Sequence, residues 1–146
     1  MPHPIDDLFG LVRLLYHRMV SAAEALHAAE PVTIGSRAVL EYLQRHGPST
    51  VPDIARQRGV SRQHVQVLVN TLTQHELVEL RPNPAHKRSP QIYLGTAGKR
   101  TITRMRRREA RFYEKTDFGL SAAEIGSISA GLATISDALK AEQDDR

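Results

Sequence analysis

The chain has 146 residues, 40% of them hydrophobic, which is enough to build one folded domain with a core. No apolar run approaches the roughly 20 residues that span a bilayer, and the first residues lack the basic and then apolar pattern of a secretory leader. We therefore expect a cytoplasmic protein without a membrane segment. Because the chain contains no cysteine, disulfides, thiolate metal sites and cysteine-based redox sensors are excluded.

The net charge of +4 is unevenly distributed along the chain. Residues 36–115 hold 16 Lys and Arg against 6 Asp and Glu, whereas the remaining residues hold 4 and 10. A basic middle segment indicates a surface that binds nucleic acid. Arginine enrichment is also typical of GC-rich genomes, so the excess of arginine alone does not decide the matter.

Both ends of the chain have apolar residues three and four positions apart, a spacing that predicts amphipathic helices with a coiled-coil-like seam. The C-terminal helix begins with a capping box formed by Ser121 and Glu124. Two such seams favour a homodimer, and packing of the two helices within one chain is the alternative. The seam residues are Ile5, Leu8, Val12, Leu15, Met19, Ala22 and Leu26 near the start, and Ile125, Ile128, Leu132, Ile135 and Leu139 near the end.

Three shorter helices are predicted after the first. Thr33 caps a helix that runs to about Arg45, and Thr50 begins a short helix that Gly59 ends. Ser61 then caps a third helix, which has one apolar face. This succession predicts a helix-turn-helix. The apolar face consists of Val65, Leu68, Val69 and Leu72.

A β-hairpin is predicted next, with strands at 77–80 and 91–94. Its loop, residues 81–90, has three prolines and a basic tip, which positions it as a wing against DNA. A helix over 97–115 follows. The fold class is therefore mainly α (α+β): a winged helix-turn-helix lobe at 34–98 with helical dimerisation regions at 4–29 and 97–142, in a single domain.

The helix capped by Ser61 leaves polar side chains free to read base edges, since arginine pairs with guanine and glutamine or asparagine with adenine. An ordinary solvated helix face is the alternative. A line of basic residues on the helix after the wing, at 100, 104, 107, 111 and 115, either begins with a DNA contact or is a solvated stripe balanced by acids. The predicted DNA-binding residues are Ser61, Arg62, Gln63, His64, Gln66, Asn70, His86, Lys87, Arg88 and Arg100.

Segments from the second helix to the end of the hairpin share one family pattern: Ala38-Val39-Leu40-Glu41-Tyr42-Leu43, Thr50-Val51-Pro52-Asp53-Ile54-Ala55, Gly59-Val60-Ser61, Val69-Asn70-Thr71-Leu72, Leu77-Val78, His86-Lys87-Arg88 and Ile92-Tyr93-Leu94-Gly95-Thr96-Ala97-Gly98. On these residues the chain resembles the MarR family of transcriptional regulators. The resemblance implies an obligate dimer whose terminal helices pair. Each subunit then presents one reading helix and one wing to a pseudo-palindrome in double-stranded DNA.

The resemblance also implies that Arg88 contacts the DNA backbone or minor groove. The chain departs from the family at four positions. His86 replaces the wing aspartate that orients this arginine, Glu76 stands where glycine is usual, Leu80 where arginine is usual, and Gly95 where threonine is usual.

We expect no enzyme, cofactor or metal site. None of the seven histidines lies three or four residues from another, and phosphate-loop and nucleophile-elbow motifs are missing. A histidine-based metal-responsive sensor and an architectural DNA-binding protein remain alternatives. In the family, a small aromatic or anionic ligand that enters the cleft between the dimer helices and the DNA-binding lobe often causes release of DNA, although core packing explains the same aromatic residues. The candidates to line such a cleft are Tyr16, His17, Tyr42, Phe112 and Tyr113.

Overall fold

The computed structural model of the chain describes residues 1 and 3–145. Met1–Ala110 form one compact unit and Arg111–Arg146 a second. The fold is mainly helical with a small two-stranded sheet, as predicted. The elements are α1 (Pro4–Leu26), α2 (Ile34–His46), α3 (Val51–Arg58), α4 (Arg62–Gln74), β1 (Val78–Arg81), β2 (Gln91–Leu94), α5 (Thr96–Lys115) and α6 (Ala122–Asp144).

Local hydrogen bonds fix where the predicted helices begin. The hydroxyls of Thr33, Thr50 and Ser61 each accept a hydrogen bond from the backbone N–H three residues later, at 3.2, 3.3 and 3.1 Å. These bonds satisfy N–H groups that have no partner inside the helix. The capping box of α6 also forms, because Ser121 accepts from the backbone N–H of Glu124 and donates its own N–H to the carboxylate.

The first helix is shorter than the predicted 4–29, because α1 ends at Leu26. The backbone N–H of His27 closes the helix on the carbonyl of Ala23, and the N–H of Glu30 bonds to the His27 carbonyl. Pro31 follows, and a residue before proline is disfavoured in helical conformation. Residues 27–30 therefore form a turn that leads towards α2.

The core lies between α2, α3, α4, the hairpin and the first half of α5. On α4 the predicted apolar face is confirmed: Val65, Val69 and Leu72 are fully buried, and Leu68 packs at the edge. Tyr42 of α2 is half-buried at the margin of this core. The largest fully buried side chains are Leu40, Ile54, Leu72, Ile92, Ile102 and Met105.

The hairpin is antiparallel, with Val78 opposite Leu94 and Arg81 opposite Gln91. It is anchored to the start of the helix-turn-helix by Ser49, whose backbone N–H and C=O both bond to Ile92. After the hairpin, the backbone of Gly98 in α5 packs directly against the backbone of Leu77. A Cβ atom at Gly98 would clash with the carbonyl oxygen of Leu77. Glycine is therefore required where α5 crosses the start of β1.

A buried carboxylate joins three helices of the first unit. Glu109 of α5 accepts hydrogen bonds from both terminal nitrogens of Arg37 on α2, one of them at 2.7 Å to Oε2. Its Oε1 also lies 2.8 Å from Nε2 of His27, just beyond α1. Because a buried charge is stable only with partners, Glu109 fixes α1, α2 and α5 to one another.

A second ion pair supports the same junction. Arg104 of α5 donates from Nε and Nη2 to the Glu30 carboxylate at 2.7 and 2.6 Å. Nη1 of Arg108 lies 3.3 Å from Oε1 of the same carboxylate. The hydrogen bonds from Arg104 are the largest cause of a lowered pKa of Glu30, outweighing the opposing effect of burial. The ionised form of Glu30 is therefore the form that holds the turn after α1.

We predict that Glu109→Gln destabilises the chain by about 1–3 kcal/mol, because His27 and Arg37 lose a charged acceptor, although Arg37 keeps its ion pair with Glu41. Urea unfolding measures this difference. Glu114→Gln, on the exposed part of the same helix, serves as the matched control and should cost less than about 0.5 kcal/mol. Equal stabilities of the two variants would show that the buried ion pair does not hold the helices together.

Glu76 carries a backbone conformation that favours glycine. Its φ is +56°, and its N–H bonds to the carbonyl of Thr73 while Leu77 bonds back to Leu72. This is the hydrogen-bond pattern of a Schellman turn, whose left-handed position is most often glycine.

We therefore predict that Glu76→Gly raises the free energy of unfolding by about 0.5–1 kcal/mol, since relief of the left-handed strain exceeds the added chain entropy. The matched control is His75→Gly, because His75 has a φ of −90° and no such strain to relieve. That variant should lower stability by a similar amount in the same denaturation experiment. A loss of stability in Glu76→Gly would contradict the strain argument.

Candidate nucleic-acid interface

The polar face of α4 is exposed along the whole helix. Ser61, Arg62, Gln63 and His64 occupy its N-terminal end, and all four are exposed. One and two turns further along, Gln66 and Asn70 are exposed and joined by a hydrogen bond of 2.8 Å between Nε2 and Oδ1. Since the opposite face is buried in the core, this polar face is the side that α4 presents outward.

The N-terminal end of α4 favours an anion. Helix dipoles place partial positive charge at this end, and the first turn contains no acidic residue that would cancel it. Arg62 adds a full positive charge beside the free backbone N–H groups. A DNA phosphate or the edge of a guanine is the kind of group that such an end attracts.

The wing tip is shaped by a turn around Asn83. The Asn83 side chain accepts from the N–H of Ala85 at 3.2 Å, and its carbonyl accepts from the N–H of His86 at 3.1 Å. His86, Lys87 and Arg88 follow and are all exposed. Within residues 1 and 3–145 none of these three side chains forms a hydrogen bond or ion pair, so the basic tip is available for an external partner.

The base of the wing carries an arginine that sequence reasoning missed. The Arg81 guanidinium lies 4.1 Å from the ring centre of Tyr93, and its Nη2 is 3.0 Å from Oε2 of Glu79. Glu79 and Tyr93 face each other across the hairpin. Glu79 and Arg81 are two residues apart on β1, so their side chains lie on the same face of the hairpin as Tyr93 once the strand register is known.

The basic residues on α5 differ in whether they bind a carboxylate of the described chain. Arg104 is bound to Glu30 of the turn after α1, which supports the solvated-stripe alternative at that position. Arg100 is exposed in the first turn of α5, so its DNA contact stays a prediction. Arg107, Arg111 and Lys115 are also exposed.

The helix before the turn is braced by Asp53. Its carboxylate accepts from the hydroxyl of Thr50 at 2.8 Å and from Nη2 of Arg56 at 2.6 Å. The hydrogen bond from Thr50 is the main cause of the lowered pKa of Asp53, with smaller contributions from Arg56. The ionised cap therefore stabilises the first turn of α3, which sets the start of the helix-turn-helix.

The predicted ligand residues lie in different surroundings. Tyr16 and His17 are exposed on α1 with ring centres 5.8 Å apart. Phe112 and Tyr113 pack against Phe118 in the second unit. Tyr42 lines a cavity of about 220 Å³ beside α2.

A second cavity of about 200 Å³ lies where α1, α2 and α5 meet. Its two basic side chains, His27 and Arg37, are already bound to Glu109. In the part of the chain that the structure describes, no three acidic or histidine side chains converge as they would around a metal ion. No helix of that part is long and apolar enough to cross a membrane.

These features match a known family. The sequence model of the MarR family matches residues 25–89, from the end of α1 through the wing. The crystal structure of a MarR family transcription regulator superimposes with a TM-score of 0.83 and 26% identity, over 99% of this chain and 97% of that one. This chain belongs to the MarR family. Its winged-helix fold is that of a DNA-binding transcriptional regulator.

Two further relatives of this MarR-family chain extend over almost its full length. The uncharacterized protein Rv2011c of Mycobacterium tuberculosis is 35% identical over 139 residues, 95% of this chain and 94% of that protein. The regulator BpsR of Bordetella bronchiseptica, studied for the regulation of its DNA binding by 6-hydroxynicotinic acid, has a TM-score of 0.80 and 22% identity. The match covers 94% of this chain and 98% of BpsR.

Proposed function

We propose that the chain is a sequence-specific, double-stranded-DNA-binding transcriptional regulator, acting as a repressor and as a homodimer on a pseudo-palindromic operator. The observation that carries this proposal is the capped, exposed and positively charged end of α4, followed by a wing whose Lys87 and Arg88 lack partners in the described chain. We propose no enzymatic activity and no cofactor.

The two parts of the interface have different tasks in this proposal. Arg62, Gln63 and Gln66 read base edges in the major groove, because their side chains offer the matching donors and acceptors. Ser61, His64, Asn70 and Arg100 contribute further contacts beside them. Lys87 contacts a phosphate, His86 adds a polar contact, and Arg88 contacts the backbone or an A·T-rich minor groove.

Uncovered apolar seams support the homodimer. In the single chain, Leu15 and Met19 of α1 are 53% and 60% exposed, and Ile128 and Leu132 of α6 are 50% and 38% exposed. Exposed apolar residues along a helix face, as on α1 and on α6, are typical of a protein interface. Burying both seams against a second copy removes this surface from water and places two copies of α4 on one side of the DNA duplex.

We predict that Leu15→Asp or Leu132→Asp shifts the protein to monomer, because each places a charge in a desolvated seam. Light scattering at micromolar concentration measures the mass. Arg13→Asp, which adds the same side chain on the polar face of α1, is the matched control and should remain dimeric. A stable monomer of the unaltered chain would contradict the proposed assembly.

We predict that Gln63→Ala or Arg62→Ala costs roughly 1–3 kcal/mol on the operator and much less on random DNA. The reason is that only the operator offers the matching base edge. Fluorescence anisotropy with both duplexes gives the ratio of affinities. Gln74→Ala removes the same side chain as Gln63→Ala from the far end of α4 and should leave the ratio unchanged.

Lys87→Ala provides the contrast within the same experiment. It should weaken both duplexes about equally and lower the salt slope by about one, as expected for one lost phosphate contact. If the variants of α4 keep the affinity ratio of the unaltered chain, α4 does not read bases, and the architectural alternative replaces sequence-specific regulation.

We also infer that a small aromatic or anionic molecule lowers the affinity for DNA. BpsR, whose DNA binding is regulated by 6-hydroxynicotinic acid, supports this by its similarity of fold. Coupling of this type is typically ~1–3 kcal/mol. A ligand screen in which no compound changes operator affinity would instead indicate a constitutive regulator.

A further inference from the structure

A polar cavity of about 220 Å³ lies between α2 and the last residue of α3. It shares no lining residue with α4 or the wing, so it is separate from the proposed DNA interface. The residues that line it are Ala38, Glu41, Tyr42, Arg45, His46 and Arg58.

The cavity carries uncompensated positive charge. Its one lining carboxylate, Glu41, accepts a hydrogen bond of 2.8 Å from Arg37 and lies 3.9 Å from Nε of Arg106. Both partners of Glu41 lie outside the cavity, and the two arginines of the lining outnumber this one carboxylate. Across the described ranges 1 and 3–145, neither Arg45 nor Arg58 forms an ion pair, so the lining contains two arginines without an internal counter-charge.

One of these groups is also short of a hydrogen-bond acceptor. Nη1 of Arg58 is buried and has no partner among the described atoms. A buried charged donor without an acceptor is costly, and an anion in the cavity would relieve that cost. Beside it, the rings of Tyr42 and His46 lie 4.5 Å apart, so that the phenol and the imidazole add hydrogen-bonding groups to the same wall.

We propose that this cavity binds a small oxyanion of phosphate type, held by Arg45 and Arg58 with hydrogen bonds from Tyr42 and His46. The volume admits inorganic phosphate or a small organic phosphate. The cavity at the junction of α1, α2 and α5 is a weaker candidate, because its His27 and Arg37 are already bound by Glu109. A phosphate group of the DNA backbone could occupy the same site as a free anion, and the experiment below distinguishes these two ligands.

Binding in the cavity also has a consequence for DNA affinity, and this step rests on the proposed function. Arg58 precedes the cap of α4, Ser61, by three residues, so the two are at most about 11 Å apart. This limit applies to the Cα atoms, and because the screening length is ~8 Å at physiological salt, the effect of an anion on α4 is strongest at low ionic strength. An anion at Arg58 therefore lowers the positive potential at the reading end of α4 and weakens DNA binding.

Isothermal titration of the full chain with inorganic phosphate, at constant ionic strength and without DNA, tests the site. We expect saturable binding that Arg45→Gln and Arg58→Gln each weaken about 10-fold, the effect of losing one charge-assisted hydrogen bond. The matched control is Arg56→Gln, because Arg56 lies on the same helix as Arg58 but binds Asp53 outside the cavity. Arg45 is exposed, so that its variant remains informative even if Arg58→Gln unfolds.

No saturable binding, or equal binding by all three variants, would overturn the proposal. A second arm measures DNA binding in phosphate-free buffer, where we expect Arg45→Gln to keep the salt slope of the unaltered chain for random DNA, because no phosphate contact is lost. If Arg45→Gln lowers the salt slope of DNA binding by about one, the cavity arginines bind a phosphate of the DNA backbone, and the proposal of a free-anion site is wrong. If phosphate binds as expected while the unaltered chain binds no DNA, the cavity site stands and the proposed function fails.

Discussion

The arrangement of the first unit depends on the buried ion pair between the Glu109 carboxylate and Arg37. The carboxylate is buried, and it meets Arg37 of α2 and His27 at the end of α1. Removing such a charge from water is favourable only when its partners arrive with it. The three helices are therefore ordered together, and α5 keeps a fixed position relative to the helix-turn-helix that follows α2.

The arginines of the chain separate by whether they have an internal partner. Arg37, Arg104 and Arg108 are bound to carboxylates of the junction, and their charge holds helices together. Arg62 and Arg88 lie exposed on α4 and the wing. Part of the positive charge in residues 36–115 is therefore structural, and the exposed arginines are the ones that we propose for DNA binding.

The parts of the fold that depend on neighbouring residues could be predicted from the sequence. The caps at Thr50 and Ser61, the turn at Gly59 and the apolar face of α4 are set by hydrogen bonds and periodicity within a few residues. These elements carry the candidate reading surface. For this reason, local sequence patterns are sufficient to predict which side of α4 is exposed.

The remaining features depend on contacts between distant residues. Arg37 and Glu109 are separated by 72 positions, and no local pattern shows that they meet. The same holds for the bonds between Ser49 and Ile92, which anchor the hairpin. The cavity beside Tyr42 was also not foreseen as a site, because Arg58 reaches it from a different helix.

Hydroxyl-radical footprinting decides whether two copies of the chain read two related half-sites, as we propose. The duplex is one that the full chain has selected from a random pool. We expect two protected stretches on one face of the DNA, with related sequences and centres about 10 base pairs apart or a multiple of that distance. A single protected stretch, or a pool in which no sequence is enriched, would contradict it.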